Sequence, residues 1–528
     1  MSIRLPVYEL SPAPRDPQQP ATLAAEMLGA EGAESEEMDG RVAASEGQVT
    51  VERDDASGGI FAADHARLRA PTERPALVSE DRAYSISDDL LARHNLAPEL
   101  AGPFGLEKVG PGRTVIATQK DGKREVHTLD VQARYGVTVE NPGIEGQAGQ
   151  LPIVGGGGKL AVTLGDEGRP VGFQGSWRPV AGERQVDALD REEAHERFAE
   201  STANLELEDV RSFLAYHAAP TGTEQEVLAP VWVFGATISA NGARVPMRLA
   251  TIPATEVGPP APRSVPQPER KPQPGQLDLA ALRAAPTPYE AGTSWIGELG
   301  GLSGSQQNAK GFVDGLKAEG WRVNFNWGDK NAWESDWGRN DDTWVDAADF
   351  VFYTGHADQN GWLLTTPGTS DLVQLTPSTV GAAPGNPGDR WGRQDLEWLT
   401  VAACGPLQDD VISAGGGDVL DRWEGAFDGL HALMGYGAIT YDNTEEGGKL
   451  ARYARDGMPL IDAWFRTAQE VQPSSNGESA PNGPDVWVGA MYVTKEGVDP
   501  RFDHLWGRGS VAADPRSPEM LVCIWTTC

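Results

Sequence analysis

Between residues 85 and 256 apolar and polar positions alternate in short runs, the period of strands with one solvated face. The stretch "GKLAVTLGDEGRPVGFQGSW" (158–177) reads as a hairpin turning at Asp166-Glu167-Gly168. A second, "LAPVWVFGATISANGARVPMRLATI" (228–252), turns at Asn241-Gly242, a strong hairpin dipeptide. Between them "LDREEAHERFAE" (189–200) has helical spacing and an acidic start. Hairpin, helix and hairpin predict a small α+β domain over 85–256.

From residue 287 the pattern changes. Short, almost wholly apolar runs appear in "TSWIGEL", "WRVNFNW", "ADFVFYTGH", "LEWLTVAAC", "HALMGYGAIT" and "DVWVGAMYVT". Amphipathic segments interleave with them: "SQQNAKGFVDGLKAEG", with Ser305 and Gly320 as caps, then "GKLARYARDG" and "PLIDAWFRTAQEV". Apolar strands separated by helices predict an α/β domain over 287–528, a mainly parallel sheet with helices on both faces. In such sheets chemistry gathers at the carboxyl ends of the strands.

Two further segments complete the division. Residues 1–84 are rich in Ala, Glu, Gly and Ser and read as largely disordered or extended. Residues 257–286 open with "VGPPAPRSVPQPERKPQPGQ", a proline-rich linker that also carries Arg263, Arg270 and Lys271 as a maturation site. Tryptophan supports the boundary, since only Trp177 and Trp232 precede the linker and the other fourteen follow it.

Charge narrows the function. A formal net charge of −33 and a pI near 4.6 give the wrong field for a nucleic-acid backbone or an anionic membrane. Neither partner is expected. No apolar run approaches the roughly 20 residues of a membrane span, and the start lacks a secretory signal pattern, which makes a cytoplasmic location the default. Three cysteines, Cys404, Cys523 and Cys528, are too few for a disulfide framework; Cys523 and Cys528 are placed to pair with each other.

The run "LPIVGGGGKLAV" fails the P-loop spacing and reads as a strand-connecting turn. "GLSGS" fails as a nucleophile elbow, and eight scattered histidines form no metal spacing. The stretch "NWGDKNAWESDWGRNDDTW" has oxygen ligands but no EF-hand spacing, so neither calcium nor any other cofactor is assigned. Its tryptophans, Trp327, Trp333, Trp337 and Trp344, suit the packing of a long loop on the core.

One pair stands out. The apolar run Phe350-Val351-Phe352-Tyr353 ends in Thr354-Gly355-His356, and 48 residues later "LTVAAC" ends in Cys404. Singly, a buried cysteine is a small hydrophobe and a strand-end histidine is structural. Together, on adjacent parallel strands, an imidazole withdraws the thiol proton and later protonates a leaving amine. Gly355, Ala357, Ala402, Ala403 and Gly405 leave room for a substrate backbone. The amides of Ala357 and Cys404 are the candidate oxyanion-hole donors.

The order apolar strand, His, spacer, apolar strand, Ala-Cys resembles the caspase-like cysteine peptidases, the group of caspases, metacaspases, legumains and gingipains. "YTGHA" and "TVAACG" carry the likeness, which spans roughly residues 287–500. It implies a caspase-like fold, His356 as general base and acid, and Cys404 as nucleophile. The chain departs from the group in having Ala357 where Gly is usual, and Ala403 where metacaspases carry an acidic residue, so their calcium dependence is not expected. Residues 85–256 loosely resemble the propeptide modules ahead of secreted peptidases, which implies a zymogen.

The resemblance predicts a polypeptide substrate. Asp358, Asp442, Glu445 and Glu446 lie on loops that would form the first specificity pocket and favour a basic residue there; a solvated acidic loop is the other reading. Two alternatives to an endopeptidase stay open: a catalytically silent scaffold of the same fold, and a peptide ligase using the same thioester.

Overall fold

The computed structural model describes residues 3–38, 40–70, 74–257, 289–380, 390–477 and 485–528. The proline-rich linker, with Arg263, Arg270 and Lys271, lies outside the described residues.

Five parallel strands form the centre of the C-terminal half. Their spatial order is Arg322–Gly328, Glu290–Trp295, Phe350–Thr354, Trp398–Ala402, Ala432–Tyr436. The runs FVFYT, WLTVA and ALMGY are buried at every position, which is why they read as continuous apolar stretches. In chain order the strands run 2-1-3-4-5, so the order in which the chain adds strands reverses between Glu290–Trp295 and Phe350–Thr354. In open α/β sheets such a reversal is where ligands bind, beyond the carboxyl ends of the strands.

Three helices, Ser305–Lys317, Glu446–Arg455 and Leu460–Val471, cover one face. Phe312, Phe350, Phe352, Trp398, Leu450 and Trp464 form the core beneath them. The opposite face differs from the expectation of helices on both sides. It is covered by 3-10 turns between Asp329 and Ala347, a small three-stranded sheet over 357–375, and the one-turn helix Val419–Trp423. Aromatic bulk does there what helices do on the first face. Trp337, Trp362, Trp391 and Trp423 pack with ring centroids 5.3–6.3 Å apart. Trp337 and Trp344 thus serve packing of the loop on the core.

Beyond Ala432–Tyr436 the sheet turns antiparallel, through Trp487–Thr494 and Met520–Thr527. It then passes without a break into the N-terminal half, where Phe104–Lys120 pairs with Met520–Thr527 from Lys120↔Met520 to Thr114↔Thr526. The sheet continues through Lys123–Glu140, Lys159–Leu164, Pro170–Ser176, Ile60–Asp64, Val49–Asp54, Arg41–Glu46 and Glu34–Met38. The N-terminal half is therefore neither a small separate module nor preceded by a disordered segment. Within residues 3–70, the helix Gln19–Leu28 lays Leu23, Ala24 and Leu28 against Val49, Val51 and Ala62. Exposed polar positions in Glu34–Met38 and the surrounding turns dilute that apolar set below what composition detects.

The other N-terminal expectations follow their local chemistry. Lys159–Leu164 and Pro170–Ser176 form the first hairpin. Asp190 and Glu193 make a capping box at the start of the helix Arg191–Ser201. Val227–Ala240 pairs with Ala243–Pro246 across Asn241 (φ 46°) and Gly242 (φ 87°), both left-handed as a type I′ turn requires. The four glycines after Val154 form a turn in which a Cβ on Gly156 would stand 1.7 Å from the Glu470 carbonyl oxygen. Cys523 and Cys528 are both free and buried, not bridged: Cys523 lies inside the strand Met520–Thr527 and Cys528 just beyond it. Among the described residues no helix is long and apolar enough to cross a membrane.

Candidate active site

The strands that end at His356 and Cys404 are neighbours in register, with Thr354 opposite Ala402. Both residues sit two positions further on, beyond the carboxyl ends of the strands. Each side chain is fully buried.

The imidazole is held in one tautomer. Nε2 lies 2.7 Å from the Gly300 carbonyl oxygen, which can only accept, so Nε2 carries the proton. Nδ1 is left as the acceptor. Gly300 permits this approach because a Cβ there would stand 3.0 Å from Nε2. Ala357 follows in extended backbone with no positive φ, so the departure from glycine brings no strain. The Leu363 N–H donates to the His356 carbonyl, which makes Ala357 and Trp362 a non-hydrogen-bonded pair. The Ala357 amide is thus turned away from that ladder.

No hydrogen bond joins His356 to Cys404 among the described residues. The N-terminal half intervenes. Nδ1 of His356 accepts the backbone N–H of Arg248 at 3.1 Å. Cys404 packs in one apolar cluster with Leu249, Ile439 and Tyr441, and with Val154, Ala215, Val231 and Val233 from the N-terminal strands. Its Sγ accepts the Thr440 N–H at 3.4 Å. Burial pushes His356 down to about 4 and pushes the Cys404 thiol up, with Arg248 pulling the thiol partly back. In this arrangement both groups are neutral near pH 7.

A β-bulge delivers Arg248. Along the return side of the second hairpin, Pro246 pairs with Thr237 and Ala250 with Phe234. Three residues, 247–249, therefore oppose two, 235 and 236, and the extra residue turns its side chain out of the sheet. The Arg248 guanidinium donates to Thr354 Oγ1 (3.1 Å), the Ala402 carbonyl (2.7 Å), the Tyr441 carbonyl (2.6 Å) and both Glu446 oxygens (3.1 and 3.2 Å). Glu446 opens the helix Glu446–Arg455 and also accepts from Asn308 Nδ2, Tyr436 OH and Gln472 Nε2. Arg248 and Glu446 are both fully buried. Burial opposes the Arg248 charge, but Glu446 and Asp442 outweigh it and raise its pKa.

The other acidic candidates separate. Asp442 lines this region: its Oδ2 accepts the Gly304 N–H, its N–H donates to the Leu249 carbonyl, and burial pushes its carboxyl up to about 6 against the pull of Arg248. Asp358 does not. It caps its own hairpin, accepting from Asn360 and from Gln374 Nε2 at 2.6 Å. An Asx turn beside a glycine is the reason it was legible as a loop acid and not as a structural one. Glu445 accepts from Thr223 Oγ1, outside the pocket. Arg248 itself escaped sequence reasoning; its one signal is a lone charge interrupting the apolar run "VPMRLATI".

At the opposite, amino ends of the strands, carboxylate oxygens of Glu290, Asp349 and Asp395 lie within 4.8 Å of one another, beside Glu397. Burial, then the neighbouring carboxylates, pushes Glu397 up to about 10 and Asp349 up to about 8. A folded pKa above the unfolded value of about 4.3 means the folded chain binds more protons, so stability falls as pH rises from about 4 towards 10. Glu397→Gln removes one such group. Urea unfolding is expected to find it more stable than wild type at pH 9 by at least about 1.4 kcal/mol, the value of one pKa unit, and equal to wild type near pH 4.

Residues 292–527 match a family model described as "Domain of unknown function (DUF6345)". That segment begins in the strand Glu290–Trp295 and contains His356, Cys404 and Glu446, but not Arg248. No match was found among curated proteins. Among solved structures, an uncharacterized protein from Eubacterium rectale is similar over 48% of this chain and 84% of its own, at 11% identity and a TM-score of 0.25. That likeness is too slight to inform the fold.

Proposed function

We propose that the chain is a cysteine peptidase with a caspase-like site, held latent by its N-terminal half. The observation that carries the reading is the anchoring of His356: Nε2–H fixed on the Gly300 carbonyl, which leaves Nδ1 as the accepting nitrogen, on the strand beside that of Cys404. A base oriented by a third group next to a thiol is the arrangement nucleophilic catalysis needs. With the N-terminal strands displaced, water enters and the burial that keeps both groups neutral is relieved.

The chemistry then runs in two halves. Nδ1 takes the Cys404 proton, Sγ bonds to the substrate carbonyl carbon, and the peptide C–N bond breaks as His356 returns that proton to the leaving amine. A water molecule, deprotonated by the same nitrogen, then displaces the thioester and restores the thiol. The Ala357 and Cys404 amides are the donors for the transient oxyanion.

The burial of both groups favours a second reading, a silent scaffold of the same fold. Peptide mass mapping decides between them. The chain, nicked by limited proteolysis to loosen its N-terminal half, is incubated with a mixed peptide pool, beside Cys404→Ala and His356→Ala. Cleavage lost in both variants is expected. Cleavage equal in all three, or absent from all three, favours the scaffold.

A further inference from the structure

Resting on the peptidase reading, we infer that the pocket holding Arg248 is the primary specificity pocket, that it selects arginine, and that Arg248 is its tethered, uncleavable occupant. The pocket is built for a guanidinium. Thr354 Oγ1 and the Ala402 and Tyr441 carbonyls accept in different directions, and the Glu446 carboxylate closes the end. Asn308, Tyr436 and Gln472 fix that carboxylate in turn. An ammonium cannot reach these acceptors together, because it lacks the planar fork of donors. The pocket wall includes Ala402, two residues before Cys404, so a side chain lodged there brings its backbone to the strand ends.

The backbone of the occupant behaves as a bound peptide. The Leu249 N–H donates to the Thr440 carbonyl at 2.8 Å, and its carbonyl accepts the Asp442 N–H at 2.9 Å, a parallel bridge to Tyr441. Direction explains why it survives. Running parallel to residues 440–442, it presents the Arg248 N–H to His356 Nδ1. A chain running the opposite way, with arginine in the same pocket, exchanges N–H for carbonyl at that point. It would place the arginine carbonyl, the electrophile, between His356 and Cys404. The substrate class is therefore a peptide with arginine on the carbonyl side of the scissile bond.

The test uses the full chain. Wild type, Arg248→Ala and Arg248→Ala/Glu446→Gln are assayed with coumarylamide substrates carrying Arg, Lys or Asp before the scissile bond. Binding of agmatine, a small guanidinium, is read by thermal shift. Arg248→Ala is expected to cleave the Arg substrate at least tenfold faster than wild type, with Lys slower and Asp inert. Agmatine should raise its melting temperature, and the added Glu446→Gln should abolish both effects. If Cys404 in Arg248→Ala alkylates in a His356-dependent way but neither Arg preference nor agmatine binding appears, the arginine pocket is wrong and the peptidase reading survives. If agmatine binds but no substrate is cleaved and Cys404 stays inert, the peptidase reading falls, and the specificity assignment with it. Should the alanine variant not fold, Arg248→Lys keeps a charge opposite Glu446 and is read in the same assays; hydrolysis no faster than wild type in that folded variant overturns the proposal.

Discussion

Glu446→Ala is expected to lower the stability of the chain by about 3–5 kcal/mol in urea unfolding, the range for breaking a buried ion pair from one side. Its carboxylate accepts from Arg248, Asn308, Tyr436 and Gln472. Alanine leaves a guanidinium without its ion-pair partner and three neutral donors each short of one acceptor, all away from water. The pair should behave non-additively. In a double-mutant cycle, Arg248→Ala/Glu446→Ala is expected to cost less than the sum of the single changes, because the double variant removes both members of the ion pair together. A loss under about 1 kcal/mol for Glu446→Ala would mean that Arg248 finds water, and that the N-terminal half opens readily.

Trp362→Ala is the second large effect, at about 3–5 kcal/mol. Its ring is fully buried against Trp337 at 5.3 Å, Trp423 at 5.5 Å, and Trp391 and Tyr353 at 5.9 Å. These aromatics replace the second helical layer, so the cavity has no flexible neighbour to close it. The loss should also reach the site, since Trp362 pairs with Ala357, the residue after His356. Val126→Ala, at an exposed position, is expected to stay within about 0.5 kcal/mol and serves as the reference. A Trp362→Ala loss no larger than this would show that the aromatic layer is not what holds that face.

Legibility in the sequence followed locality. Runs such as FVFYT and WLTVA are buried on both faces, so their apolar continuity predicted strands, and the helices of "GKLARYARDG" and "PLIDAWFRTAQEV" showed by their spacing. His356 and Cys404 were found because each ends such a run. What escaped depends on contacts distant in sequence. The aromatic layer draws Trp337, Trp362, Trp391 and Trp423 from separate segments of the chain. The ordered start of the chain rests on pairings such as Gly172 with Ala63, over a hundred residues apart. Arg248 is a product of register: only the pairing of Pro246 with Thr237 and Ala250 with Phe234 reveals the extra residue. Asp358 and Glu446 look alike in sequence, and only tertiary structure separates a turn-capping acid from one at the end of a pocket.

The central claim is that Cys404 is a nucleophile silenced by what covers it, and Cys523 and Cys528 provide internal standards. All three thiols are free and buried, and burial raises all three pKa values, that of Cys528 to about 12. The decisive measurement is the rate of iodoacetamide alkylation at each cysteine at pH 7, by peptide mapping, in native wild type and Arg248→Ala. The account predicts three slow rates in wild type, and in Arg248→Ala a selective acceleration at Cys404 that vanishes when His356 is also replaced. Acceleration shared by all three cysteines, or a Cys404 rate indifferent to His356, would contradict it.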